Sequence, residues 1–293
     1  MAITGSGTAA DPYVVTSYSE IKSILDVAGT SGHYSNPHML LANDINCNDY
    51  GAGFVWQTLQ SANENYPFTL DLGGFAIKNV AVGSGAWLFK GYGSKVKNGK
   101  LLNIFCTGCE NLSEAVRYDK VSMSIDANGC FKTVLSFKIG GSTDISDALT
   151  NCSIYVQNLR HCLIGAGGFS AVIAISNCDI LVNTPYDLTQ NSDAEGCLAA
   201  INKAVNCRFR GNMKAFTTRY LISNIADTCV FDIHLDPPKP TNKKYYYAMT
   251  GITVHNSDYC GGSSESYGLD SNKIKNGAEL RNVGFPVVNV VGG

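Results

Sequence analysis

Leu149-Thr150-Asn151-Cys152-Ser153-Ile154 and Ile175-Ser176-Asn177-Cys178-Asp179-Ile180 are the stretches whose reading decides the fold. Each reads small or polar, Asn, Cys, one variable residue, then Ile. Ala204-Val205-Asn206-Cys207-Arg208-Phe209 repeats the pattern, and Asp227-Thr228-Cys229-Val230-Phe231 keeps its Cys and its apolar end. The cysteines follow one another at steps of 26, 29 and 22 residues. Related units without Cys stand at Ile77-Lys78-Asn79-Val80, Val96-Lys97-Asn98-Gly99 and Leu280-Arg281-Asn282-Val283. An irregular step of this size, with short strands inside each step, predicts a parallel β-helix. A coil cannot bury its inner face alone, so coils stack and the same position recurs above itself. Cys152, Cys178, Cys207 and Cys229 are then expected to form an inward ladder of small hydrophobes. Asn151, Asn177 and Asn206 are expected at the corners, where Asn tolerates left-handed backbone and bonds its neighbours. Leucine-rich repeats are a rival, but their dense leucine spacing is missing, and a β-sandwich gives no reason for a cysteine ladder.

Outward from the repeat, the N-terminal part reads differently. Ile21, Ile24, Leu25 and Ala28 recur at i, i+3, i+4 and i+7, one apolar helical face. Ser17 with Glu20 three residues on makes a capping box, and Gly29 ends the helix. From about residue 37 helical periodicity gives way to short apolar runs closed by Gly, Asn or Asp, such as Met39-Leu40-Leu41 and Phe68-Thr69-Leu70-Asp71-Leu72. The expected organisation is residues 1–36 as an N-terminal strand and capping helix, and residues 37–293 as a parallel β-helix of about ten coils.

Composition agrees with an all-β chain. Of 293 residues, 16% are charged and 45% hydrophobic, with 30 Gly and 15 Tyr. That excludes a disordered chain and a long coiled coil. A net charge of -2 argues against nucleic-acid binding. The first residues show no secretory signal, and no run is long and apolar enough for a transmembrane helix, so membrane insertion is not expected. Eleven cysteines cannot all pair within one chain, and a chain this long needs no disulfide staples. Cys106-Thr-Gly-Cys109 alone has CxxC spacing, without the second pair of a zinc knuckle. The cysteines are therefore read as buried free thiols of a protein folded in a reducing cytoplasm, with no metal and no cofactor expected.

Gly7-Thr8-Ala9-Ala10-Asp11-Pro12-Tyr13-Val14-Val15, the helix after it, Leu40-Leu41-Ala42-Asn43-Asp44-Ile45 and the tract from Phe68 to Val80 resemble the opening of right-handed parallel β-helix proteins of phage tail appendages and bacterial surfaces, the tailspike-like group. The resemblance spans about residues 5–103. It implies a right-handed, single-stranded β-helix solenoid and a phage virion tail or neck appendage, or receptor-binding protein, that recognises a host-surface glycan. The implied location is the virion, assembled in the host cytoplasm beside other virion proteins. The alternatives are a glycan-degrading tailspike-like depolymerase, hydrolase or lyase, and a bacterial surface adhesin module at the cell surface.

Candidate chemistry is sparse, so catalytic residues stay unassigned and a binding role is expected before an enzymatic one. A glycan hydrolase needs two placed carboxylates, and a pectate-type lyase an acidic calcium cluster. Asn183-Thr184-Pro185-Tyr186-Asp187 reads as a corner turn, as does His255-Asn256-Ser257-Asp258, and Gly261-Gly262-Ser263-Ser264-Glu265-Ser266 as a loop. Asp232, His234 and Asp236 alternate along one strand and share a face, suited to a metal, a sugar or plain solvent. Tyr245, Tyr246 and Tyr247 follow a Pro- and Lys-rich loop, and exposed rings stack on sugars or anchor interfaces. Trp56 and Trp87 are expected in the core or cap. The terminal run from Gly284 to Gly293 offers no helix to cover the last coil, so a homotrimer is expected, with this run and the tyrosines at its contacts.

Overall fold

The computed structural model describes residues 3–63, 66–137, 144–165, 172–186, 201–213, 222–227, 230–235, 253–255 and 258–260. Cys229, Asp236, Tyr245, Tyr246, Tyr247 and the terminal run lie outside the described residues.

The chain opens with β1 (Tyr13–Val15), α1 (Tyr18–Val27), β2 (His38–Leu41) and β3 (Ile45–Asn46), followed by a 3-10 turn at Cys47–Tyr50. Then come β4 (Thr69–Asp71), β5 (Ala76–Val82), β6 (Phe89–Thr107), β7 (Asn111–Gly129), β8 (Thr133–Ser136) and β9 (Asp144–Thr150). They are followed by β10 (Ser153–Gln157), β11 (Cys162–Gly165), β12 (Val172–Ser176), β13 (Asp179–Asn183), β14 (Ile201–Val205) and β15 (Arg208–Met213). The last are β16 (Ile222–Asp227), β17 (Val230–Leu235), β18 (Thr253–His255) and β19 (Asp258–Cys260).

Every pairing between these strands is parallel, and the molecule is a parallel β-solenoid. One sheet runs β1, β2, β4, β6, β7, β9, β12, β14, β16, β18. A second runs β3, β5, β6, β7, β10, β13, β15, β17, β19. A third is built from the start of β7, then β8 and β11. β6 and β7 are longer than the short apolar runs suggest, because single left-handed residues turn the corner inside a continuous strand. These residues are Asn98 and Asn103 in β6, and Ala115 and Lys120 in β7.

Asn151, Asn177 and Asn206 hold φ of 55°, 53° and 51° at successive corners. Asn206 Nδ2 donates to Asn177 Oδ1 at 2.8 Å, and Asn177 Nδ2 to Asn151 Oδ1 at 3.1 Å. Asn151 Nδ2 reaches Asp119 Oδ1 at 3.4 Å. Each amide thus satisfies the one below and fixes the register between coils.

Inside, Met123, Ile154, Ile180 and Phe209 stack in register, beside Ile125, Val156 and Val182. All seven are buried, and each such side chain contributes about 1.5–3 kcal/mol relative to exposure. Cys152, Cys178 and Cys207 are buried and free one position after the Asn corners. Their sulfurs donate to the carbonyls of Thr150, Ser176 and Val205 at 3.3, 3.2 and 3.3 Å. Burial pushes the Cys152 and Cys178 thiols well above the usual thiol value.

At the N-terminal end, Ser17 Oγ accepts from Glu20 N, and Glu20 reaches back to Thr16, whose N–H and hydroxyl it accepts at 2.6 and 2.9 Å. The capping box forms with its return bond one residue earlier than the sequence pattern implies. Those donors hold the Glu20 carboxyl below the usual carboxylate value. Tyr18, Ile21, Ile24, Leu25 and Ala28 are buried. The Tyr18 ring packs 4.6 Å from the Trp56 ring, and the buried Trp56 Nε1 donates to Leu88 O. The Gly7-to-Tyr13 motif is a closed turn: Ser6 N and Gly7 N donate to Asp11 O, and Asp11 N to Thr8 Oγ1.

Candidate functional site

Two arrangements of side chains carry chemistry, one outside the second sheet and one inside it.

Register sets the outer one. Alternation along a strand sends every second residue outward, and parallel pairing stacks those residues into columns. One column reads Ala81, Phe105, Asp126, Gln157, Asn183, and the backbone register continues it to Asn212 and His234. The next reads Ser124, Tyr155, Leu181, Arg210, and the register continues it to Asp232. The expected ligand residues Asp232 and His234 therefore lie in β17 at the far end of both columns, in register with Arg210 and Asn212. Phe105 is 41% exposed near the other end. Within the first column Gln157 Nε2 donates to Asp126 Oδ2 at 3.0 Å, and Asn158 Nδ2 to both Asp126 oxygens. Beside the second, Arg210 grips Asp179 through two parallel bonds of 2.9 and 2.8 Å. A bidentate pair of this kind holds the guanidinium flat against the sheet.

The corner next to this face adds a third group. Tyr186 of the predicted Asn183–Asp187 turn lies under Arg160, whose guanidinium carbon is 3.9 Å from the ring centre. Arg160 Nε and the Tyr186 hydroxyl both donate to Asn128 Oδ1, each at 2.9 Å. Three coils thus contribute one rigid, solvent-facing cluster. Thr184 in the same turn is buried and donates to Leu159 O at 2.7 Å, which pins the corner.

The inner arrangement is a group that the sequence pattern presents as separate free thiols. The sulfurs of Cys106, Cys109 and Cys130 all lie within 4.8 Å of one another, and all three residues are buried. Cys106 and Cys109 flank the turn that leaves β6, and Cys130 follows β7. Two glycines bring the third sulfur in. A side chain at Gly129 would put its Cβ 2.4 Å from Cys106 O, and Gly108 turns the chain at φ +134°. Phe131 N donates to Cys109 O, and the Cys130 sulfur to Glu110 O at 3.4 Å. Hydrogen-bond contacts with Cys106, then Cys130, hold the Cys109 thiol below the usual thiol value. Donation to Cys109, then contact with Cys130 and burial, raise Cys106. Cys106 lowers Cys130, but donation to Cys109 together with burial raises it overall. The signal in the sequence is faint: Gly108-Cys109 and Gly129-Cys130 repeat a Gly-Cys pair about one coil apart.

Comparison with known proteins finds no matching family model, no matching curated protein and no matching solved structure.

Proposed function

We propose that this chain is a receptor-binding appendage of a phage virion, at the tail or neck, that recognises a host-surface glycan along the outer face of its second sheet. The observation that carries the reading is the pair of in-register outward columns, which line up amides, carboxylates, a guanidinium and the rings of Phe105 and Tyr155. Adjacent rungs are about 4.8 Å apart, so five steps from Phe105 to His234 give a track of roughly 24 Å. One rung is about as long as one pyranose in an extended chain. Successive sugars can therefore meet equivalent positions, with rings stacking on apolar sugar faces and amides bonding hydroxyls. The eight cysteines whose side chains are described are buried and in no disulfide, which suits assembly in a reducing host cytoplasm. A charged fraction of only 16% leaves broad faces free to associate, which supports a closed homotrimer.

Glycan-array binding tests the reading. Binding to an extended bacterial surface polysaccharide is expected, weakened about tenfold or more by Tyr155→Ala or Gln157→Ala with the fold intact. An array without signal, or binding indifferent to both changes, overturns it. A depolymerase acting on the same glycan is the second reading, favoured by the register positions of Asp232 and His234 in β17, beside Arg210 and Asn212. Shortened chains after incubation, lost in Asp232→Asn, would establish it.

A further inference from the structure

We propose that Cys106, Cys109 and Cys130 form a three-sulfur site for one thiophilic d10 metal ion, cuprous copper or zinc. The inference is independent of the glycan reading, because the cluster lies in the core and not on the outer face.

Geometry is the first support. Metal–sulfur bonds of about 2.3 Å set sulfurs about 4 Å apart around a shared ion. Three sulfurs already within 4.8 Å need only small side-chain rotations to reach that spacing. The second support is how the backbone delivers them. Gly129 sits where a Cβ would strike the Cys106 carbonyl, so the chain reserves a glycine for the approach that brings Cys130 in. Packing alone does not require three sulfurs to converge. In the Cys152, Cys178 and Cys207 ladder each sulfur donates to a carbonyl of its own coil and meets only the sulfur above or below, a line and not a closed group of three.

The donor set selects the ion. Thiolates favour soft ions, while calcium and magnesium need oxygen. Iron–sulfur clusters take four thiolates, and this group offers three. Cuprous copper accepts three sulfurs, whereas zinc requires a fourth donor, a place that the Glu110 carbonyl, 3.4 Å from the Cys130 sulfur, can fill. Each thiol that ligates gives its proton to solvent, with no change of oxidation state. Zinc on three thiolates leaves one net negative charge and releases three protons from the fully protonated cluster.

Competition titration decides the matter with the full chain, reduced by a thiol-free reductant. Cuprous copper is supplied as its coloured bicinchoninate complex and zinc as a complex with a colorimetric chelator. Transfer of one equivalent of either metal to the chain is expected, with copper prevailing if the site is trigonal and zinc if the carbonyl completes it. Transfer should vanish in Cys106→Ser/Cys109→Ser/Cys130→Ser and persist in Cys152→Ser/Cys178→Ser/Cys207→Ser. The metal should also raise the Tm of the wild-type and ladder variants by several degrees and leave the cluster variant unmoved. Cys130→Ser alone, which keeps the CxxC pair, should bind more weakly and serves where the triple variant does not fold. No transfer of either metal, or binding that survives loss of the three sulfurs, overturns the site.

Discussion

Two groups of three cysteines sit in the same core and behave differently. Cys152, Cys178 and Cys207 occupy one position in successive coils, one residue after an Asn corner each time. Cys106, Cys109 and Cys130 come from two neighbouring turns and converge. The difference lies in register. β10, β13 and β15 pair without a slip, so like residues stack. Between β6 and β7 the pairing shifts between Phe105 and Thr107, where Phe105 opposes Asp126 but Thr107 opposes Gly129. The extra residue in β7 is a bulge, which re-aims the residues after it. A solenoid thus uses cysteine as filler where register is kept and gathers it into a cluster where register slips.

The largest effect expected on this contrast is at the slip. Gly129→Val forces a branched Cβ onto the Cys106 carbonyl and should cost about 3 kcal/mol, read as a fall in urea midpoint at unchanged m. It should also abolish metal transfer. A stable Gly129→Val chain that still binds metal would remove the glycine from the account.

On the ladder side, Asn177→Ala removes the polar side chain that makes left-handed φ tolerable and breaks the amide chain, costing about 2 kcal/mol. Asn177→Gly keeps the backbone free and loses only the bonds, about 1 kcal/mol. Equal costs would mean that left-handed strain plays no part at the corner.

Alkaline pH tests the ladder. Cys178 has a folded pKa raised by burial, so its contribution is whole below the unfolded value of about 8.5 and lost as pH climbs towards the folded value. Each such thiol steepens the loss by about 1.4 kcal/mol per pH unit. Cys178→Ala should flatten that limb by one thiol. An unchanged alkaline slope in that variant would mean that the ladder thiol is not shielded from ionisation in the folded core.

The smallest effect is outside both groups. Glu20, held down chiefly by the Thr16 N–H, contributes fully above about pH 4.3 and loses its contribution as pH falls through its lower folded value. Glu20→Gln should weaken the capped end by a few tenths of a kcal/mol near neutrality and remove that acid limb from a pH–stability curve.

The ladder was legible in the sequence because register was kept: the Asn-Cys-x-apolar pattern is the register, written once per coil. The helix was legible from its 3.6-residue period and Ser17. The thiol cluster was not, since Cys130 meets the CxxC pair only through a bulge, and a one-residue slip leaves no period to read. The outward columns were hidden for a related reason. Phe105, Asp126 and Gln157 are unlike residues brought together by pairing, and single strands showed only Asp232 and His234 sharing a face. Asp236 and the tyrosines from 245 to 247 lie outside the described residues, so the columns rest on neither.

Site-resolved alkylation, read by mass spectrometry in sub-denaturing urea with and without one equivalent of metal, tests most directly the claim that one core holds two kinds of cysteine. The account predicts that metal slows modification of Cys106, Cys109 and Cys130 together, and by more than it slows Cys152, Cys178 and Cys207, which it protects only through the added global stability. Equal protection of both groups, or a ladder thiol that labels in the native chain as fast as in the unfolded one, would contradict it.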